Sequence, residues 1–344
     1  MNIYDMMGNG VLPGEKYQDM LAEIKDFMDM TRRFHLGTAE NMGVEVLINP
    51  DASYTMESTN PSSITGLYPR ERNFAGLFSP FSIANRYRIG TPGENSIIAV
   101  SNQYFSACTD DEITQLLSDH CAILDGDAVL YLKKRGLLHL IGAEDASIIL
   151  HDTNVTAYEE VSNGKLYAEI SRARISLQNA CGDLVNVRYQ KDANVEVMTM
   201  GCAAEGSRIA PATTLVNNRI LILPYSEYST GWGGHLNTVR CELIKDALDR
   251  MNGTKPVYAL DVPYLNVYHY DLGCKKVIAL VNTSSDDYDE IPLSLPADLL
   301  SAKNVTLWSK TALEGRKVRF LRNGNTAILQ ESIPSKETIF LTFC

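Results

Sequence analysis

Apolar and polar positions change rhythm twice along this chain, and each of the three rhythms predicts a different kind of element. Over EKYQDMLAEIKDFMDMTRRF, residues 15–34, Tyr17, Met20, Leu21, Ile24, Phe27, Met28 and Met30 or Thr31 fall close to i, i+3, i+4, i+7 spacing, the period of an amphipathic helix. So wide an apolar stripe needs a surface to lie on. Ahead of it, Gly8, Gly10, Pro13 and Gly14 read as a loop.

From Gly43 the pattern becomes short apolar runs alternating with helical stretches. VEVLINP is a buried strand ended by Asn49 and Pro50, and DASYTMESTNPSSITG a polar loop. A helix over Pro69–Phe78, a short strand over Ser82–Arg88 and the strand SIIAVS (96–101) follow. TDDEITQLLS (109–118) opens a helix, with Thr109 as N-cap and acidic residues in the first turn, where the helix dipole favours negative charge. Next come CAILDG as strand and turn, and DAVLYLKKRG as a helix with a basic end and Gly136 as its C′ cap. NRILILP (218–224) is a strand, and TVRCELIKDALDRM (238–251) a helix closed by Asn252-Gly253. This alternation predicts a doubly wound α/β domain with a parallel sheet. Residues 147–215 carry β-prone runs between polar breaks, and two arrangements stay open for them: an inserted β subdomain, or returning strands of the same sheet.

The third rhythm starts after Lys255-Pro256. KPVYALDVPYLNVYHYDLGCKKVIALVNTSSDDYDEIPLSLP (255–296) has a Pro-Tyr-Leu-Asn-Val-Tyr run, a charged hairpin, an apolar Val-Ile-Ala-Leu-Val strand and then Ile-Pro-Leu-Ser-Leu-Pro. It reads as the opening of an all-β module. The expected domains are therefore 1–40 (loop and helix), 41–254 (α/β) and 255–344 (β sandwich). A length of 344 residues suits such a division.

Composition narrows the partners. With 45% hydrophobic and 21% charged residues the chain can bury substantial cores. A net charge of −11 without an acidic tail argues against a nucleic-acid partner, which needs a basic face. No apolar run approaches the roughly 20 residues that span a membrane. The start MNIYDMMGNG lacks a basic region followed by an apolar one, so a cytoplasmic protein is the expectation, although a fragment would have lost any upstream leader. Seven scattered cysteines (108, 121, 181, 202, 241, 274, 344) with no C-x-x-C read as reduced thiols. They outline neither a disulfide framework nor a zinc site, and no cofactor or metal is expected.

Three segments carry a resemblance. Residues 101–142, SNQYFSACTDDEITQLLSDHCAILDGDAVLYLKKRGLLHLIG, resemble the glutamine-amidotransferase-like domain, often called the trimerisation domain, appended to bacterial β-galactosidases and related glycoside hydrolases. NRILILPYS with the 238–251 helix resembles that domain's last strand and helix, and the terminal module resembles the small C-terminal sandwich of the same enzymes. The N-terminal segment looks like the exit from their last barrel helix. The resemblance implies a flavodoxin-like, class I amidotransferase-like domain followed by a small immunoglobulin-like sandwich. It further implies a role in oligomerisation, or in supporting a catalytic (β/α)₈ barrel. Such a barrel needs roughly 250 residues, for which this chain has no room.

No catalytic set emerges from the residues themselves. A class I amidotransferase needs its cysteine on a G-x-C-x-G elbow with a His-x-Glu downstream. Cys108, in FSACTDDE, has neither, although it precedes a helix N-terminus that could lower its pKa. There is no G-x-S-x-G, P-loop, G-x-G-x-x-G or H-E-x-x-H. The carboxylate pairs Asp110-Asp111, Glu159-Glu160 and Asp286-Asp287 read as solvated structure, not as a hydrolytic pair. One loop, PYSEYSTGWGGHLN (224–237), follows a strand at the end of the sheet where ligands gather. There Glu227, Trp232 and His235 are the candidate ligand-binding residues for a carbohydrate, weighed against packing of Tyr225, Tyr228 and Trp232 on a neighbouring domain or subunit. The reading favoured is a non-catalytic accessory region that self-associates or joins a glycoside hydrolase barrel. The alternatives are a small hydrolase or amidotransferase-like enzyme, or a carbohydrate-binding module.

Overall fold

The computed structural model describes residues 15–54, 70–149, 157–176, 183–223, 225, 236–324 and 326–344. The chain divides into two compact units, Met42–Tyr258 and the combination of Met1–Asn41 with Ala259–Cys344.

The larger unit is built on a seven-stranded sheet. Five of its strands are parallel: β1 (Val44–Ile48), β2 (Asn85–Ile89), β3 (Ile97–Val100), β4 (Cys121–Leu124) and β5 (Ile220–Ile222). They lie in the order β2-β1-β3-β4-β5, and two antiparallel strands, Thr214–Val216 and Val195–Val197, extend the β5 edge. β3, β4 and β5 are buried along their whole length, which explains why they read as unbroken apolar runs. Leu47, Ile98, Val100, Ala122, Leu124 and Ile222 form one core with Phe105, Ile113, Leu117, Val129 and Leu132 of the flanking helices. The alternate residues Val46, Ile97, Ala99, Ile123 and Leu221 face the other side, and they are buried as well.

Local chemistry sets the helix ends. The helix Asp110–Asp119 starts with a full capping box, in which Thr109 and Glu112 each satisfy the other's backbone N–H. The helix Gly126–Lys134 is capped by Asp125, and Gly136 past its end takes a left-handed φ of 74°. The helix Thr238–Arg250 closes on Gly253, where a Cβ would come within 2.6 Å of the Ile97 side chain, so only glycine lets the chain pass so close to the sheet.

The β-prone middle resolves both ways. Tyr158–Val161, Arg174–Ser176, Thr199–Cys202 and Arg208–Pro211 form a separate four-stranded antiparallel sheet, while Val195–Val197 and Thr214–Val216 return to the main one.

In the smaller unit a six-stranded sheet includes Leu265–Asp271, Lys276–Asn282, Thr338–Phe343, Val305–Ser309 and Ala312–Val318, in that order. A second sheet holds Ile291–Ser294, Thr326–Leu329 and Phe320–Asn323. All the pairings between these strands are antiparallel. The amphipathic helix Glu15–Arg32 and the turn after it lie on the first sheet. Met30 and Phe34 are buried against Val277, Ala279 and Phe340, with Phe27, Tyr268, Tyr270 and Trp308 packed around them. Phe34 meets Trp308 edge-on, with ring centroids 5.5 Å apart.

Candidate functional site

In an open parallel sheet, ligands gather outside the carboxyl ends of the strands where the winding direction reverses. Here that point lies between β1 and β3. After β1, Asn49 donates to the Cys108 sulfur at 3.7 Å and accepts from the Asp51 N–H at 3.0 Å. After β3, Ser101 has an ordinary φ of −91° and caps the short helix Asn102–Ser106 by accepting from the Tyr104 N–H at 3.2 Å. Its own hydroxyl donates to Glu71 at 3.0 Å. Gln103 accepts from the Arg70 N–H at 2.9 Å, and the Arg70 guanidinium reaches Asp127 at 3.2 Å and Asn102 at 3.4 Å. One polar cluster therefore ties together the ends of β1 and β3, the start of the helix after β4, and Arg70-Glu71.

Its electrostatics are those of a sealed joint. Ser101 is 0% and Glu71 2% exposed. Burial pushes the Glu71 carboxyl up, against the lowering effect of its hydrogen bonds and of Arg70. Cys108 donates to the Tyr104 carbonyl at 3.4 Å, and burial pushes its thiol up. The expectation of a lowered thiol pKa is thus corrected: burial is the largest influence and raises it, against the lowering effect of the Asn49 hydrogen bond. Among the described residues neither Ser101 nor Cys108 is hydrogen-bonded to a histidine. Ser101 is thus fully buried with its hydroxyl given to Glu71, while Cys108 is half-buried.

A second polar cluster, which the sequence did not reveal, sits on the four-stranded sheet. Glu159 and Glu160 are consecutive on a strand, so they point to opposite faces. Glu159, 0% exposed, pairs with the equally buried Arg240 of the helix Thr238–Arg250 and accepts from Thr199 at 2.6 Å and Thr213 at 3.3 Å. The Arg240 guanidinium lies 5.7 Å from the Tyr225 ring centre. Glu160, 3% exposed, accepts from Arg172 at 2.7 and 3.0 Å and from Arg174 at 3.2 Å, with Arg208 at 3.7 Å. These hydrogen bonds, Arg172 foremost, hold its carboxyl below the usual range. The solvated reading of this pair is therefore corrected: both carboxylates are buried and neutralised by arginine. The signal available in the sequence was the alternation Arg172-Ala173-Arg174 beside a β-prone Tyr-Glu-Glu-Val.

Glu227, Trp232 and His235 lie outside the described residues. Of their surroundings, Tyr225 is 2% exposed, and Asn237 caps the next helix by accepting from Val239 at 2.8 Å. Among the described residues no group of three metal-ligating side chains comes together, six cysteines are free thiols, and no helix is long and apolar enough to cross a membrane.

No family model matches the chain, and no curated protein matches it. Its fold does match solved structures. α-L-Fucosidase isoenzyme 2 from Paenibacillus thiaminolyticus superposes with a TM-score of 0.63 at 11% identity, over 94% of this chain and 51% of the enzyme. β-Galactosidase from Bacillus circulans sp. alkalophilus superposes with a TM-score of 0.52 at 11% identity, over 97% of this chain and 46% of the enzyme. The chain thus shares the fold of part of two glycoside hydrolases and spans about half the length of each.

Proposed function

We propose that this chain is the non-catalytic accessory region of a glycoside hydrolase, working beside a catalytic barrel supplied by another segment or a separate chain. The larger unit is, in this reading, a flavodoxin-like domain of the class I amidotransferase type that has lost its chemistry, and the smaller unit ends in an immunoglobulin-like sandwich. The parallel order β2-β1-β3-β4-β5 supports the first assignment, and the two antiparallel sheets support the second. The observation that carries the functional reading is Ser101. It stands at the strand-to-helix turn after β3, where an amidotransferase-type nucleophile would sit, yet it is fully buried, has a relaxed backbone and spends its hydroxyl on Glu71.

Self-association belongs to the same proposal: the region would hold copies of the enzyme together. The test has two arms. The purified chain should assemble in sedimentation equilibrium and should not hydrolyse nitrophenyl fucosides or galactosides. A strict monomer with no affinity for a barrel segment would sink the accessory reading. So would turnover that disappears on substitution of a residue of this chain.

A further inference from the structure

Three guanidiniums crowd over one carboxylate on the face of the four-stranded sheet that carries Glu160. One arginine suffices to neutralise Glu160. Arg172, Arg174 and Arg208 are all within 4 Å of it, so the cluster keeps a net charge of about +2. Their side chains stay 70%, 59% and 56% exposed, so the excess charge faces solvent. The surplus positive charge is therefore open to any anion that meets it, and its pull weakens as salt screens it. Among the described residues Glu160 is the only acidic side chain in an ion pair with any of the three.

The arrangement is also ordered. Arg174 holds its guanidinium carbon 4.5 Å from the centre of the Tyr158 ring, a cation–π contact that helps to place it. Arg172 grips a single Glu160 oxygen through Nε and Nη2, at 3.0 and 2.7 Å. Arg208 touches Glu160 only at 3.7 Å, a charge contact without a hydrogen bond. The buried carboxylate thus acts as a post that aims the guanidiniums and leaves donors over, and planar forks of this kind match carboxylate and sulfate oxygens.

We propose that Arg172, Arg174 and Arg208, aimed by Glu160 and Tyr158, form a binding site for an anionic group carried on a saccharide chain. The saccharide part of this proposal rests on the glycoside hydrolase reading above, and the anion part rests on the cluster alone. The net charge of −11 sharpens it: the molecule as a whole repels polyanions, so any binding must come from a local site.

The test is affinity electrophoresis and calorimetry of the full chain with polygalacturonate (carboxylate), dextran sulfate (sulfate), uncharged dextran and poly-glutamate. The expected result is binding to one or both anionic polysaccharides at about 20 mM salt, loss of that binding near about 500 mM, and none to dextran. Arg208→Glu should weaken it about tenfold or more, as expected for reversing one charge-assisted contact, while Arg172 and Arg174 still neutralise Glu160 and the melting temperature holds. The triple change to Gln at 172, 174 and 208 should abolish binding. Absence of binding to either anionic polysaccharide, or equal binding by Arg208→Glu, would overturn the proposal. Tighter binding of poly-glutamate would overturn it in favour of an acidic protein partner. Assembly of the chain, measured in the same preparations, reports separately on the accessory reading.

Discussion

Glu159 gives up all contact with water to reach Arg240, and the balance between that desolvation and the ion pair sets how the larger unit answers substitution. Arg240→Met should leave an unpaired carboxylate 0% exposed and cost about 3–5 kcal/mol in urea unfolding. Adding Glu159→Gln to it should recover part of the loss, because an uncharged group is cheaper to bury. His269 presents the converse case. It is 5% exposed, its Nε2 has no hydrogen-bond partner, and burial first, then Lys276, pulls its pKa down to about 4. The unfolded chain takes up this proton near pH 6.5 while the folded ring stays neutral. The stabilisation is therefore complete above about pH 6.5 and is lost as pH falls toward 4, about 3 kcal/mol in all. Unfolding curves between pH 7.5 and 4.5 should show this slope, and His269→Phe should flatten it relative to the parent. Cys108 supplies a third expectation. With its thiol raised by burial, it should react with maleimide at pH 7.5 much more slowly than the exposed Cys274 and Cys344, as read by mass spectrometry. Fast labelling of Cys108 would reopen the enzymatic reading.

The elements were legible where a local rule decides them. Thr109 and Glu112 spell a capping box three residues apart, and Gly136 marks a helix end, so those boundaries follow from neighbours in sequence. The apolar runs of β3 and β4 announce strands buried on both faces. Less legible was the strand Leu265–Asp271, where Leu265, Val267 and His269 are buried while Asn266, Tyr268 and Tyr270 are half-buried. The tyrosines look like a wet face, yet Tyr268 and Tyr270 pack around Met30 and Phe34 of the N-terminal helical segment. What covers a strand depends on a partner more than two hundred residues away, and spacing alone carries no record of it. Phe34→Ala should therefore cost about 3–5 kcal/mol. It should also free the helix Glu15–Arg32 for limited proteolysis, while the β sheets beneath stay protected.

Taken whole, the chain has two units with separate cores, so its heat unfolding should not fit one two-state transition. Calorimetry should resolve two components, with Arg240→Met lowering one and Phe34→Ala the other. A single transition moved equally by both would show that the units unfold together. At this scale the sequence by itself determined the succession of elements: an amphipathic helix, an α/β alternation and a terminal run of strands. Each of these is a pattern of near neighbours, in which hydrophobic period, caps and turns act over a few residues. Only the tertiary structure decided the order β2-β1-β3-β4-β5, the distribution of the described strands within 157–216 among several sheets, and the meeting of Glu159 with Arg240 and of Glu160 with three arginines. Those are long-range choices, made by which buried charge finds which partner when distant segments close. A carboxylate reads the same in sequence whether it ends in water or beneath a guanidinium.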